Sequence, residues 1–314
     1  MPNITGTTRS SSAVSLEPID IWYWTIRGII AVLTIAGNGL VIYFIVFKRR
    51  LCATNNWFVL SLAVADFCIG LFATPSGLAC AFRFLCDWRI QITFYNFLLF
   101  ASTLNLWAMA IDRYVAIVHS LRYPSLMTTT RVILIIAMSW AISFLATFVR
   151  LLWLYDSHLR GVIEKYYIVI IDIFFGVFSC VVLLTVYARI LCISRKISRQ
   201  SAAQVNQVIY NHAPSVSARR ARRNSSVKVL GCMVLLFVVC YSLGIYTSFC
   251  TNFKLCPVNP LVASLSLLLV HCNSAVNFAV YAFMKSDIRM ELIRLCRFSK
   301  ARELSTASRE FSLS

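Results

Sequence analysis

Residues 92–117 read ITFYNFLLFASTLNLWAMAIDRYVAI, an apolar run broken only by neutral polar side chains until the charged pair Asp112-Arg113 appears at its far end. A helix of roughly 20 apolar residues crosses the hydrocarbon core of a bilayer. Lipid offers no partner to a bare amide or carbonyl, so a run of this length is read as a helix. The same pattern recurs along the chain, and it predicts spans near 26–47, 56–80, 92–117, 131–153, 166–191, 228–252 and 259–283. The expected fold is an all-α membrane protein, a seven-transmembrane helix bundle. Composition agrees, since 59% hydrophobic residues and a mean hydropathy of +0.75 exceed what a soluble domain buries while keeping a charged surface. Trp22, Tyr23 and Trp24 stand just before the first span, where an interfacial aromatic belt falls. The first 25 residues lack a basic start followed by an apolar core, so the first span is expected to serve as the targeting signal.

A net charge of +18 raises the question of nucleic acid, but its distribution answers otherwise. Lys48, Arg49, Arg50, Arg122, Arg195, Lys196, Arg199 and the Arg219–Arg223 run fall in alternate joints, which are therefore expected in the cytoplasm. Seven crossings then divide the chain into an extracellular amino-terminal segment (1–25), a membrane domain (26–284) and a cytoplasmic helix and tail (285–314). Asn3-Ile4-Thr5 is a glycosylation sequon on the outer side. Residues 192–227 lack apolar periodicity and are expected to form a mobile cytoplasmic loop. Within it, Ser225 and Ser226 follow a basic run and are either phosphorylation sites or part of a solvated basic loop. After the seventh span, Ile288, Leu292, Ile293 and Leu295 alternate with Arg289, Glu291 and Arg294, a pattern for a short amphipathic helix on the inner membrane face. Cys296 there is either a lipidation site or a free thiol.

Ionisable groups inside a span are costly unless they are paired or face an internal cavity. Asp66 is the clearest case, with Asn38, Ser102, Asn273, Ser274 and Asn277 as partners from other spans. The set suits either a hydrated cation site or a structural hydrogen-bond network. Arg113 beside Asp112 is read as a local ion pair that releases the guanidinium when the sixth span moves, or as a snorkelling terminal arginine. Asp172 in the fifth span is a contact for a cationic ligand group or a partner of Arg150.

From residue 26 to 297 the chain resembles a rhodopsin-like, or class A, G-protein-coupled receptor. The markers occur in order: Gly37-Asn38 with Val41, Leu62-Ala63-Val64-Ala65-Asp66, Ser102 followed by Asp112-Arg113-Tyr114, Trp140, Tyr187, Phe237 with Cys240, and Asn277-Phe278-Ala279-Val280-Tyr281. The resemblance implies a plasma-membrane receptor that binds an extracellular peptide or small molecule. It also implies activation of a heterotrimeric G protein, with cyclic AMP as a readout, and no enzymatic chemistry or nucleic-acid binding in this chain. Asp112, Arg113, Tyr114, Tyr187 and Tyr281 would serve coupling, and Tyr95, Asn96, Asp172 and Tyr241 would line the ligand pocket. No cofactor is required, although an allosteric Na+ is implied at Asp66, Ser102, Asn273, Ser274 and Asn277. Kinases and arrestin are the further expected partners.

The departures from the pattern are equally specific. Tyr241 replaces the usual tryptophan of the sixth span, Leu243 its proline, and Phe278 the proline of the seventh. Restored backbone donors at Leu243 and Phe278 favour straighter helices. Trp88 stands where the family places a cysteine, Ser179 where it generally places a proline in the fifth span, and no cysteine lies between Trp153 and Tyr166. Cys250 and Cys256 are then either a small bridge in an oxidising compartment or two thiols. The short second outer loop, Cys256-Pro257-Val258-Asn259-Pro260 and His271-Cys272-Asn273-Ser274 partly resemble melanocortin receptors, although Ser76, Trp88 and Ile92 occupy the region of their acidic cluster. Two alternatives stand beside the receptor reading: a transporter or channel using Asp66 and Asp172, and a receptor-like protein that binds ligand without coupling.

Overall fold

The structure, a computed structural model, describes residues 18–48, 51, 56–82, 86–205, 213–285, 287–295 and 297, with the side chains of 18–20, 198, 201–205 and 213–226 left aside. Among the described residues, seven helices are long and apolar enough to cross a membrane: α1 (Ile21–Phe47), α2 (Trp57–Ala81), α3 (Trp88–Val118), α4 (Thr129–Leu154), α5 (Ser157–Ile197), α6 (Val227–Phe253) and α7 (Pro260–Met284). A further helix, α8 (287–295), follows α7. Side chains start several of them. Asp87 accepts the Arg89 N–H at 2.9 Å ahead of α3, and Asn259 accepts the Leu261 N–H at 2.8 Å ahead of α7, where Pro260 needs no donor of its own.

The same chemistry corrects the expected start of the fifth span. Asp156 accepts the N–H groups of His158 and Leu159 at 2.9 and 3.0 Å, so α5 begins at Ser157, nine residues ahead of 166. The connection from α4 is thereby reduced to Tyr155 and Asp156. The expected loop at 192–227 is also largely helical, since the α5 helix continues to Val205 and the α6 helix starts at Ala213. Residues 192–205 contain no glycine or proline and are rich in Arg, Ser, Ala and Gln, while Pro214 sits in a first turn where it is tolerated. Apolar periodicity reports a buried face, and a helix projecting beyond the bundle has no need of one.

Contacts run α1 to α2, α2 to α3, α3 to α4, α3 to α5, α5 to α6, α6 to α7, and back from α7 to α1, which puts α3 at the centre. Two stretches wind as π-helix, Ile69–Ala73 in α2 and Asp172–Phe178 in α5. Such widening re-aims the side chains that follow. The Ser179 hydroxyl donates to the Phe174 carbonyl at 3.2 Å, spanning the second widened turn. The α6 and α7 helices run unbroken through Leu243 and Phe278. The larger core packs Phe44, Phe58, Leu62, Phe237 and Tyr281 around the half of the bundle that ends in Arg113. A second core packs Tyr95, Leu98, Phe100 and Phe175 in the other half. Leu33, Leu145, Leu152 and Val239 point outward, as they must where the solvent is lipid.

Candidate functional site

Among the described residues two disulfides, Cys80–Cys86 and Cys250–Cys256, join positions near the same end of the bundle. Between that end and the middle of the bundle lies a cavity of about 320 Å³ among α3, α5, α6 and α7, and Tyr95, Asn96, Asp172 and Tyr241 all line it. Its floor is aromatic. Phe100 and Phe175 stack with centroids 3.8 Å apart, and Tyr241 stacks on Phe237 at 4.2 Å. Tyr95 stacks on His271 of α7 at 5.0 Å, and the His271 Nδ1 lies 2.7 Å from the Leu267 carbonyl, which assigns the proton to Nδ1 and leaves Nε2 a buried acceptor without a partner.

Asp172 does not pair with Arg150. It accepts a hydrogen bond from the Ser248 hydroxyl of α6, and Asn252 donates to that hydroxyl at 3.0 Å. Arg150 instead turns to Glu164, with Nε 2.8 Å from Oε1, and the Trp153 indole donates to the other carboxylate oxygen at 3.0 Å. Glu164 escaped the sequence reading because it reaches Arg150 only when α5 starts immediately after a two-residue turn. The Asp156 cap was the available signal.

In the middle of the bundle Asp66 is fully buried. Ser102 of α3 donates to one of its oxygens at 2.8 Å and Asn277 of α7 to the other at 2.7 Å. Ser274 Oγ lies beside the same carboxylate without hydrogen-bond geometry. The Asn38 amide donates to the Thr34 and Ser274 carbonyls at 3.0 and 3.1 Å, tying α1 to α7. The side-chain oxygens of Asn38, Asn105 and Asn273 are buried acceptors without partners.

At the other end of α3, Asp112 is fully buried and holds the Arg113 guanidinium, with Nε at 2.8 Å. The Tyr123 hydroxyl, from a one-turn helix (Tyr123–Leu126), donates to the remaining Asp112 oxygen at 2.7 Å. Sequence reasoning missed Tyr123, whose position opposite Asp112 depends on the fold of the α3–α4 connection. Residues 213–253 carry no Asp or Glu, so α6 has no carboxylate to offer Arg113. Tyr114 and Tyr187 pack against the core that contains Tyr281, and a Cβ built on Gly231 of α6 would collide with the Tyr187 ring. Asn3 and Cys296 lie outside the described residues. Ser225 and Ser226 fall on the backbone of the α6 helix, and their side chains lie outside the description.

A seven-helix bundle with a cavity near its disulfide end and an Asp-Arg-Tyr triplet at the opposite end defines a transmembrane receptor, and residues 37–281 match the 7 transmembrane receptor (rhodopsin family), to which this chain therefore belongs. It is a multi-pass membrane protein of a family of receptors, not enzymes. Among its relatives, adenosine receptor A2a of Homo sapiens is 30% identical over 306 residues, spanning 88% of this chain and 72% of the relative. Histamine H2 receptor of Homo sapiens is 26% identical over 322 residues, spanning 96% of this chain and 87% of the relative. The Cavia porcellus histamine H2 receptor is 27% identical over 303 residues, spanning 90% and 81%. The similarity to these receptors runs along most of the chain and replaces the expected melanocortin likeness, which rested on the short second outer loop, the missing proline of the fifth span and the short segments Cys256–Pro260 and His271–Ser274.

Proposed function

We propose that the chain is a cell-surface receptor whose cavity binds a small extracellular molecule and whose Arg113 end activates a heterotrimeric G protein. The carrying observation is the arrangement along α3: Tyr95 and Asn96 line the cavity, Ser102 bonds Asp66, and Asp112 and Arg113 end the same helix. One rigid element thus touches all three levels, so a ligand that favours one packing of α3 against α5 and α6 biases the Arg113 end. Both disulfides support placing their end outside, in an oxidising compartment, and the basic joints support placing Arg113 inside. A cavity of about 320 Å³ favours a small molecule over a whole peptide chain. The names of the relatives point to adenosine and histamine as first probes, and Tyr95, standing where amine receptors carry an aspartate, counts against ordinary recognition of a cationic amine. The melanocortin-like segments lie outside the cavity's α3 and α5 walls and carry no ligand assignment.

Coupling is tested by cyclic AMP in cells showing equal surface levels of the native chain and Arg113→Ala, with adenosine, histamine and melanocortin peptides applied in turn. An Arg113-dependent change supports coupling. Purified, ligand-occupied receptor that leaves nucleotide exchange on G protein unchanged supports the second reading, a binding protein that does not couple, which Tyr241, Leu243 and Phe278 favour by removing the family's kink and switch residues.

The Asp66 network is proposed to hold a Na+ ion. One carboxylate, the Ser102 and Ser274 hydroxyls and the unpartnered Asn273 oxygen supply the hard oxygen donors such an ion takes. Kinases and arrestin are proposed as partners of the Arg113 end once it is exposed.

A further inference from the structure

Among the described residues, Arg27 of α1 is a buried cation without a counter-ion. It is 7% exposed and makes no ion pair among the described residues. Its Nη1 donates to the Tyr23 hydroxyl at 2.9 Å and its Nη2 to the Ala73 carbonyl of α2 at 3.0 Å, while Nε has no partner. The guanidinium carbon lies 5.0 Å from the Trp24 ring centroid and 5.8 Å from that of Tyr23. Those rings recover part of the hydration that burial removes, but neutral oxygens and ring faces leave the full charge in place. An arginine does not discard its proton to escape the cost.

The guanidinium is closely packed against α2. Gly77 of α2 faces the guanidinium, and a Cβ there would lie 3.2 Å from Nη2 and 3.3 Å from the Trp24 ring. Gln91 of α3 donates to Ser76 at 3.3 Å, and Ser76 shares the Ala73 carbonyl with Arg27. Two half-buried polar side chains, Ser76 and Gln91, therefore stand beside the buried charge. Tyr95, which stacks on His271, lines the cavity, and the field of the Arg27 charge reaches both rings.

We infer that Arg27, with Ser76 and Gln91 beside it and Gly77 allowing the guanidinium to lie close to α2, forms a subsite for an oxyanion, so that the receptor's ligand carries an acidic group. The inference rests on the disulfide end being the ligand entrance. Binding is read without G protein, so its failure leaves the Arg113 test untouched, and failure of coupling leaves this site standing.

The test is thermal melting of purified receptor in nanodiscs of neutral phosphatidylcholine at fixed ionic strength, with 3-phenylpropionate, its uncharged amide and inorganic phosphate as probes. A parallel arm uses nanodiscs containing phosphatidylglycerol. The expected result is a saturable rise of about 2–4 °C with an oxyanion and none with the amide. Arg27→Gln should lose the rise, Arg27→Lys keep part of it, and Gly77→Ala weaken the apparent affinity by crowding the guanidinium. Response to 3-phenylpropionate or phosphate assigns a free acidic ligand, and response confined to phosphatidylglycerol assigns a lipid headgroup. Equal effects of acid and amide, an undiminished rise in Arg27→Gln, or no rise with any of the three anions overturns the site. Should Arg27→Gln show no cooperative melt, Gly77→Ala decides, and unchanged affinity in that variant overturns the site equally.

Discussion

At Asp112 two donors hold one buried carboxylate: Arg113 takes one oxygen and the Tyr123 hydroxyl the other. Burial first, and then the bond to Asp112, push the Tyr123 phenol well above its ordinary value, so it remains a donor throughout the neutral range. Tyr123→Phe should cost about 1.5–3 kcal/mol, as loss of a hydrogen bond to a charged group does. It should also raise basal nucleotide exchange, because a carboxylate held on one side only retains Arg113 less firmly. Unchanged basal exchange at equal receptor levels would show that Tyr123 is structural. At the opposite end of α3 a phenol also holds an exposed carboxylate, Asp87. The Tyr155 hydroxyl at 2.8 Å and the Arg89 N–H hold the Asp87 carboxyl below the ordinary carboxylate range. A depressed acid contributes stability above its unfolded value, near 3.8, and the contribution is lost as pH falls through the folded value. Tyr155→Phe should therefore move the Asp87 midpoint upward, read by carbon-detected NMR of labelled aspartate, and make the acid limb of the melting curve shallower. Asp112 and Arg113 were legible as a pair because they are neighbours in sequence. Tyr123, Glu164 and Tyr155 were not, because each meets its partner only through a turn whose geometry the sequence leaves open.

Among the elements, the approach of α7 to α1 depends on a missing side chain. A Cβ built on Gly37 would collide with the Phe278 ring and its Cβ, where the family pattern has proline at 278. Overpacking of this kind typically costs about 1–3 kcal/mol. Gly37→Ala should accordingly lower the melting temperature, while Gly37→Ala with Phe278→Leu should lose less than the two single changes summed, since the smaller side chain leaves room for the added methyl. Strict additivity would mean that the two helices do not meet at this pair. Span existence was legible throughout, because apolar length is imposed by the bilayer. Span limits were not, since α5 starts at a capping aspartate and continues past the membrane on propensity, and neither signal is hydropathy. The two π segments left no trace in composition, yet one of them begins at Asp172 and includes Phe175, both of which line the cavity.

For the molecule as a whole, the question is how the cavity and the Arg113 end share one equilibrium when α3 is a continuous helix between them. Asp66 lies at the crossing of that path, bonded to α3 through Ser102 and to α7 through Asn277, with unpartnered amide oxygens of Asn38, Asn105 and Asn273 in the same interior. Buried acceptors of this kind are satisfied by a cation or by water in a hydrated hydrogen-bond network, and the two differ in their response to Na+. A Na+ ion shared by α2, α3 and α7 would stabilise the packing in which those helices converge, the one that keeps Arg113 on Asp112. Na+ in place of choline should then raise the melting temperature by about 2–4 °C and lower basal nucleotide exchange, with K+ much less effective. Linkage makes the effect reciprocal: whatever factor Na+ takes from G-protein affinity, bound G protein must take from Na+ affinity. Asp66→Asn removes the charge while keeping size, and it should abolish both responses to Na+ without abolishing folding. A Na+ effect that survives Asp66→Asn would place the ion elsewhere, and absence of any effect in the native receptor would leave the network as a hydrogen-bonded joint through which only helix packing couples the two ends.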